Sequence, residues 1–329
     1  MRSLVLLALC ACAPKDDTGP GDTPGETGET KLVRECAPAD ADPEPTWEGH
    51  PSDGWRWNRQ GALFEDAEPL MYGEGDLAPS LVAVPGGLHL VFARQRALDR
   101  DLWVSTSSDG EQWTAPVAAT GLTPGGSGYP GLLYDEGRFR LWHGSGDLYY
   151  SESSDGVAYE SRGQIMLTGG NSDFDSYSAL YPNPERLEGG LALFYTGFDG
   201  ATYAIGAATS VDDGETWEKE RDIMERGPDG FDNAAVAQPV YLYHGRQNLL
   251  WYGGYDTSLT DPGPWRVGFI DHNSADRTVA IPLSESGHDA WSTRDPAVVP
   301  WGDGWLMIYA GMGDDGIYRL LRATSDVCN

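Results

Sequence analysis

Hydrophobic residues recur along the chain in short runs separated by turns, without the spacing of an amphipathic helix. Five times a proline opens a hydrophobic stretch, which passes through a Gly-rich turn into a second stretch; the prolines are Pro79, Pro130, Pro182, Pro239 and Pro296. Thirteen residues after each proline stands an aromatic ring or an imidazole, namely Phe92, His143, Tyr195, Tyr252 and Tyr309. Such a pattern predicts a β-hairpin in every unit.

Each unit continues beyond its hairpin. A third apolar run follows, and three units then carry a turn of Ser, Asp, Gly and an aromatic residue, ending at Trp113, Tyr159 and Trp217. A fourth strand is expected after each turn. Repeats of about 54 residues with four antiparallel strands are typical of propeller blades. The pattern predicts an all-β, five-bladed β-propeller over residues 36–329, with blades that start near residues 78, 129, 181, 238 and 295.

The last blade needs a segment from the other end of the folded region. The fifth unit stops where its Asp turn is due, whereas Ser52-Asp-Gly-Trp-Arg-Trp57 carries that turn pattern near the start. We therefore expect the N-terminal segment to close the last blade, with residues 61–66 as its outer strand. Cys36 and Cys328 flank this seam, and in an exported protein they predict one disulfide.

The first 12 residues read as an export signal. Met1-Arg2 precedes a short apolar run that ends at Cys12 and is too short to span a bilayer. Leu9-Cys-Ala-Cys12 resembles the bacterial lipoprotein signal, which implies lipidation of Cys12; an ordinary cleaved signal is the alternative. Residues 13–35 are rich in Gly, Pro, Thr and acids, so a flexible tether is expected. The predicted location is outside the cell membrane, lipid-anchored and facing the periplasm or the cell surface.

Charge narrows the choice of partners. The chain has 329 residues, of which 51 are acidic and 22 are Lys or Arg, giving a net charge of −29. Nucleic-acid binding needs a basic face, so no nucleic-acid partner is expected. We expect the protein to associate with a membrane only through its lipid anchor. The histidines show no metal-ligand spacing and no Cys-x-x-Cys occurs. No cofactor is predicted, a structural cation in the central channel stays an open alternative, and a monomer is expected.

The third unit, from Phe174 to Trp217, resembles the five-bladed propeller glycoside hydrolases, which include arabinanases, xylosidases, invertases, levansucrases and mannoside phosphorylases. Arg294-Asp-Pro296 is similar to the Arg-Asp-Pro blade of the invertase-like enzymes, whose Asp contacts sugar hydroxyls and stabilises the transition state. The Ser-Asp-Gly turns are similar to the Asp-box of sialidases, which is structural there. The resemblance implies a carbohydrate ligand and a catalytic role for Asp295.

The sequence also departs from that family. An Asp usually stands beside the first-blade proline, and here that residue is Ala78. An acid-catalyst Glu usually precedes a middle-blade proline, and here Leu180 and Ala237 take the comparable places. The catalytic set is therefore either rearranged or lost. Glu74 and Asp76 are the candidate partners of Asp295, because glycoside hydrolysis requires two carboxyl groups.

The residues before the five prolines are expected to face one funnel. Asp295 is joined there by Tyr129, Tyr181 and Gln238, which offer rings and hydrogen bonds to a sugar, with channel packing as the alternative. Arg294 is expected to orient Asp295 or to bind a sugar hydroxyl.

Three further acids precede their prolines by seven residues and are candidate sugar-binding groups on the funnel rim: Asp175, Asp232 and Asp289. Their recurrence favours the alternative, a structural turn role. We expect His143 to be a satisfied core imidazole.

Two functions follow. The first is an exported carbohydrate-active propeller that can act as a glycoside hydrolase through funnel carboxylates. The second is a non-catalytic surface lipoprotein that binds glycan or protein.

Overall fold

The computed structural model describes residues 57–65, 70–97, 99–122, 128–166, 169, 173–244, 247–256, 265–271, 276–302 and 304–325. The predicted signal and tether, Cys12, Cys36, Cys328 and the turn at 52–56 lie outside these residues. The described part of the chain is all-β, as predicted, and holds no helix that could cross a membrane. Its strands are β1 Asn58–Ala62, β2 Gly75–Val84, β3 Gly87–Arg96, β4 Asp99–Ser107, β5 Val117–Ala118, β6 Gly131–Asp135, β7 Arg138–His143, β8 Leu148–Ser153, β9 Glu160–Met166, β10 Ser178–Leu187, β11 Gly190–Phe198, β12 Tyr203–Ser210, β13 Glu218–Met224, β14 Ala235–His244, β15 Gln247–Tyr255, β16 Trp265–Asp271, β17 Arg277–Ile281, β18 Ser292–Trp301, β19 Gly304–Met312 and β20 Tyr318–Ser325.

Antiparallel sets of four strands are the building unit. The sets β6–β9, β10–β13 and β14–β17 are separate sheets, each paired in chain order. The remaining strands form the sets β2–β5 and β18-β19-β20-β1, which a single parallel bridge between Gly75 and Tyr318 joins. Every set begins where the proline repeat places a first strand. This arrangement is of the propeller type.

The N-terminal strand pairs with the last strand of the chain. Asn58 lies opposite Thr324 and Ala62 lies opposite Leu321, with an irregular register between Arg59 and Ala62. The outer strand predicted over residues 61–66 is therefore wrong in its bounds, since β1 spans Asn58–Ala62. After the irregularity Leu63 still donates its N–H to the carbonyl of Leu320 at 2.8 Å, and Leu63 and Phe64 pack against the core.

The aromatic residue of each second strand is a core residue. Phe92, Tyr195, Tyr252 and Tyr309 are fully buried, and His143 is buried with its Nε2 atom 3.0 Å from Ser151 Oγ. The expectation for His143 is thus confirmed. Trp57, Trp113, Tyr159 and Trp217 all pack against hydrophobic clusters, as the turn pattern predicts. Both faces of the second strands are covered, so β19 is buried almost throughout.

The three Asp turns join neighbouring sheets. Asp109 Oδ1 accepts the backbone N–H groups of Glu111 and Gln112 at 2.8 Å, which lowers the pKa of Asp109. The indole of Trp301, from the last sheet, donates to the carbonyl of Asp109 at 3.1 Å. The other two turns are contacted in the same way. His89 Nε2 lies within hydrogen-bond distance of the carbonyl of Gly156, and Arg140 donates to the carbonyl of Asp213. The turn carboxylates therefore fix the backbone of the turns, and the turns in turn form the contacts between neighbouring four-strand sets.

A bulge shapes the start of four first strands. Ala78, Tyr181, Gln238 and Asp295 have φ values between 49° and 59°, and the strand register shifts at each of them. A bulge adds a residue to one strand and redirects the side chain there. Tyr129 differs from these four, because β6 begins only after Pro130.

Candidate functional site

The five first strands line one cavity of about 260 Å³. All five repeat prolines face it, together with four of the residues that precede them: Ala78, Tyr181, Gln238 and Asp295. Asp295 is the acid among them, and it is 2% exposed. The bulges therefore bring side chains from four of the four-strand sets to one end of the cavity, where the first strands begin. We call this end the mouth.

Asp295 is held on both carboxylate oxygens. Its Oδ2 atom accepts the N–H of Ala78 at 3.0 Å, and its Oδ1 atom accepts Nε of Arg294 at 3.0 Å. A backbone amide and a guanidinium therefore hold the carboxylate in one orientation. The arrangement fixes the position of this acid at the mouth.

Asp295 also belongs to a hydrogen-bonded relay from sheet to sheet. The N–H of Gln238 donates to Thr196 Oγ1 at 2.8 Å, and the N–H of Asp295 donates to Gln238 Oε1 at 3.1 Å. The N–H of Ala78 then donates to Asp295. The bulged residue of each of these sheets is thus fixed by a side chain of the sheet before it. Gln238 Nε2 is buried and makes no hydrogen bond to a described residue.

Arg294 contacts three aromatic side chains. Its Nη2 atom donates to the hydroxyl of Tyr181 at 2.8 Å, and its guanidinium lies 5.0 Å from the ring of Trp265 and 5.7 Å from that of Tyr318. Burial opposes the charge of Arg294, yet Asp295 and the nearby tyrosines hold its pKa well above the usual value. Burial raises the pKa of Tyr181 as well.

Tyr129 and Tyr181 stack on each other with ring centroids 3.7 Å apart. The guanidinium of Arg100 lies 4.7 Å from the ring centroid of Tyr129. Part of the ring surface expected to be open to a sugar is therefore covered by neighbouring side chains. We call the group that consists of Arg100, Tyr129, Tyr181, Trp265, Arg294, Asp295 and Tyr318 the mouth cluster.

Three members of the mouth cluster were missed from the sequence. Trp265 and Tyr318 are the first residues of β16 and β20, and Arg100 is the second residue of β4. In an antiparallel set the third strand starts at the same end as the first strand, so its first residues reach the same mouth. Aligning the third strands of the repeat would have pointed to these positions.

The two carboxylates proposed as partners of Asp295 are engaged elsewhere. Asp76 forms a bidentate pair with Arg94, at 2.7 and 2.8 Å. Glu74 accepts the N–H of Met71 at 3.0 Å and that of Ala97 at 2.8 Å, and these bonds lower the pKa of Glu74. Neither residue is among those that line the cavity. The structure therefore does not bring them together with Asp295 there.

The three recurring acids form equivalent buried triads. Each carboxylate accepts a tyrosine hydroxyl from the second strand and pairs with a cation from the outer strand; the sets are Asp175 with Tyr195 and Lys219, Asp232 with Tyr252 and Arg277, and Asp289 with Tyr309 and Arg59. None of these acids lines the cavity. Their contacts fit the structural alternative for these positions. Because Arg59 lies on β1, the N-terminal strand takes the place of an outer strand in this pattern.

The described residues contain no group of three or more His, Cys, Asp or Glu side chains placed to hold a metal ion.

Comparison with known proteins leaves the sequence family open. No protein-family profile matches the chain. The uncharacterized protein Rv1502 of Mycobacterium tuberculosis is 29% identical over 160 residues, which are 44% of this chain and 52% of that protein. The chain thus spans about half the length of the curated relatives it matches.

Solved structures show the fold. A structure of the GH130 family of mannoside phosphorylases, described as containing hydrolases of β-1,2 mannosidic linkages in Candida mannan, has a TM-score of 0.63 at 16% identity and covers 85% of this chain and 95% of its own. A putative glycoside hydrolase from Parabacteroides distasonis has a TM-score of 0.62 at 15% identity, and the match covers 84% of this chain and 99% of that one. The complex of BT0996 with RGII has a TM-score of 0.64 at 12% identity, and the match covers 84% of this chain and 94% of that one. The chain therefore has the fold of the propeller-type glycoside hydrolases.

Proposed function

We propose that this protein is a carbohydrate-active, five-bladed propeller that binds a sugar at the mouth cluster. The observation that carries the proposal is the pairing of Arg294 with Asp295 next to the aromatic rings that contact Arg294. Sugars are bound by aromatic faces together with a few fixed polar groups. The GH130 structure compared above is named for enzymes of mannosides, and that of BT0996 is a complex with RGII, which agrees with this choice of ligand.

Glycoside hydrolysis is the first candidate activity. An ionised carboxylate in the position of Asp295 stabilises the positive charge that develops on the sugar ring in the transition state. A second carboxyl group must act across the scissile bond, and Asp76 is the candidate from the neighbouring strand β2. Since both oxygens of Asp76 are occupied by Arg94, hydrolysis requires that bound sugar draw Arg94 away.

Glycan binding without turnover is the second candidate, and a specific observation favours it. Asp76 is paired with a guanidinium and Glu74 holds two backbone amides, so neither offers a free carboxyl group. A mouth with one carboxylate, one guanidinium and several rings binds a sugar but lacks the second group that catalysis needs.

One experiment tests the proposal and separates the two candidates. The full chain is titrated with a panel of soluble polysaccharides, and release of reducing ends is followed in parallel. Arg294→Gln is expected to weaken binding at least tenfold, while Arg162→Gln, which removes an exposed charge on β9, leaves binding unchanged. Trp265→Ala serves as a second site variant if Arg294→Gln unfolds. Binding with turnover supports the hydrolase, and binding without turnover supports the second candidate; no binding to any glycan overturns the proposal.

We further propose export through residues 1–12, lipidation at Cys12 and a tether over residues 13–35. Labelled palmitate should be incorporated by the wild-type chain and by Cys10→Ala in a bacterial host. Cys12→Ala should lose the label. Equal labelling of both variants would contradict the assignment of Cys12.

A further inference from the structure

We propose that the sugar bound at the mouth carries a negative charge, as the carboxylate of a uronic acid does. The inference rests on the proposed function and names the substrate class of the same site. It begins with charge. The whole chain carries a net charge of −29, yet two arginines belong to the mouth cluster. Arg294 is balanced there by Asp295, whereas Arg100 has no carboxylate partner among the residues that the structure describes.

The hydrogen bonds of Arg100 leave part of its guanidinium unused. Its Nε and Nη2 atoms donate to Gln95 Oε1 at 3.1 and 2.8 Å, a neutral acceptor that fixes the group without neutralising it. Nη1 makes no hydrogen bond to a described residue. A guanidinium held in this way is ready to bind a carboxylate, because its planar set of donors matches the two oxygens.

The nearest acids along β4 do not take that role. Asp99 and Asp101 flank Arg100 in the strand, and both side chains are exposed. Successive side chains of a strand project to opposite faces, so these two acids point away from the face that carries Arg100. Arg94, on the adjacent strand β3, is already matched by Asp76.

Arg100 and Arg294 are linked through two stacked rings. Arg100 lies 4.7 Å from the ring centroid of Tyr129, Tyr129 stacks on Tyr181 at 3.7 Å, and the Tyr181 hydroxyl accepts from Arg294 at 2.8 Å. One guanidinium with unused donors thus stands at one end of this series, and the Arg294–Asp295 pair stands at the other. A sugar that spans the series would place its hydroxyl groups near Arg294 and Asp295 and an acidic substituent near Arg100.

Matched pairs of ligands test this inference. Short oligomers of galacturonate, glucuronate and mannuronate are compared with their fully methyl-esterified forms, which keep the sugar and remove the charge. Isothermal titration of the full chain at about 0.15 M salt is expected to show about tenfold tighter binding of the acid in at least one pair, equivalent to about 1.4 kcal/mol. The preference should fall as added salt screens the charges.

Variants assign the preference to Arg100. Arg100→Gln is expected to reduce the acid-to-ester ratio to within about twofold, and Arg100→Lys to retain part of the acid preference. Arg162→Gln, which removes an equal charge far along the chain on β9, should keep the full ratio. Unchanged melting temperatures show that the variants are folded.

The outcomes separate this inference from the function on which it rests. Binding of neutral glycans with no acid preference in any pair overturns the substrate class and leaves the proposed function in place. An acid preference that Arg100→Gln retains overturns the assignment to Arg100. Failure of every glycan, acidic or neutral, to bind removes the proposed function and the inference with it.

Discussion

The Oδ2 atom of Asp295 accepts the backbone N–H of Ala78 at 3.0 Å, and so links the first strand of the last sheet to the first strand of the set β2–β5. The acid that the Arg-Asp-Pro motif marks as a site residue is therefore also part of the joint between two four-strand sets. Its other oxygen accepts from Arg294, so a change at Asp295 affects the joint, the position of the guanidinium and the charge at the mouth together.

Asp295→Asn should reduce stability as well as ligand binding. The amide keeps the shape of the side chain, but its one oxygen can accept only one of the two hydrogen bonds, and its NH₂ group then faces the other donor. Hydrogen bonds to charged groups contribute about 1.5–3 kcal/mol each, so we expect a loss of about 1–3 kcal/mol in the free energy of unfolding. Urea titration measures it, and Asp101→Asn, an exposed acid of β4, is the control. If Asp295→Asn loses binding but keeps wild-type stability, the contact between the two sets does not depend on this charge.

Arg277→Met should destabilise the fold, because it leaves the buried Asp232 with the Tyr252 hydroxyl and no cation. The expected cost is about 1–3 kcal/mol, reduced by the partial exposure of Arg277. The double variant Arg277→Met/Asp232→Asn should cost less than the sum of the single changes, since the two residues share one interaction. Additive costs in chemical unfolding would argue against the triad.

His89 should make the protein less stable in mild acid. Burial lowers the pKa of His89 from 6.5 to about 4. Between these values the unfolded chain takes up a proton that the folded chain does not, so stability is full above pH 6.5 and falls by about 2–3 kcal/mol toward pH 4. His89→Gln should remove that part of the pH dependence, and the exposed His288→Gln should keep it. Identical pH profiles of unfolding for the two variants would contradict the assignment.

Glu185 should change the stability with pH in the direction opposite to that of His89. It lines the cavity, and burial raises its pKa from 4.5 to about 8. Between these values the unfolded carboxyl is ionised while the folded one stays protonated, so its effect lowers stability as pH rises through that window. Glu185→Gln should raise the melting temperature at pH 8 by several degrees and leave it unchanged at pH 4.5. The exposed Glu188→Gln is the control, and a gain at both pH values would point to a cause other than titration.

The disulfide between Cys36 and Cys328 stays a prediction, since both residues lie outside the described part of the chain. Peptide mapping without reductant should find the two linked. A loop of about 290 residues gives a stabilisation on the order of 5–6 kcal/mol in the chain-entropy model, which is an upper figure. Reductant should therefore lower the melting temperature. Free thiols at both positions in exported protein would rule the bond out.

The Arg-Asp-Pro motif and the repeat could be found from sequence because their signals are local. The offset between each proline and its aromatic residue follows from strand length and turn length, which neighbouring residues determine. Trp57 could be placed with the last sheet for the same reason, since it repeats the position of Trp113. The boundary of β1 could not be found, because pairing with β20 and the irregular register between Arg59 and Ala62 decide it.

The composition of the mouth depended on contacts between distant segments. Asp76 and Asp295 look alike in sequence as acids near a first-strand proline. Asp76 is paired by Arg94 within its own four-strand set, whereas Asp295 connects two sets through Ala78. Arg100 stands out only when its partners are known. The sequence alone thus determined the repeat, the first and second strands of each unit and the four first-strand positions at the mouth, because periodicity encodes them. The tertiary structure decided which charges there are balanced, because that depends on side chains meeting across sheets.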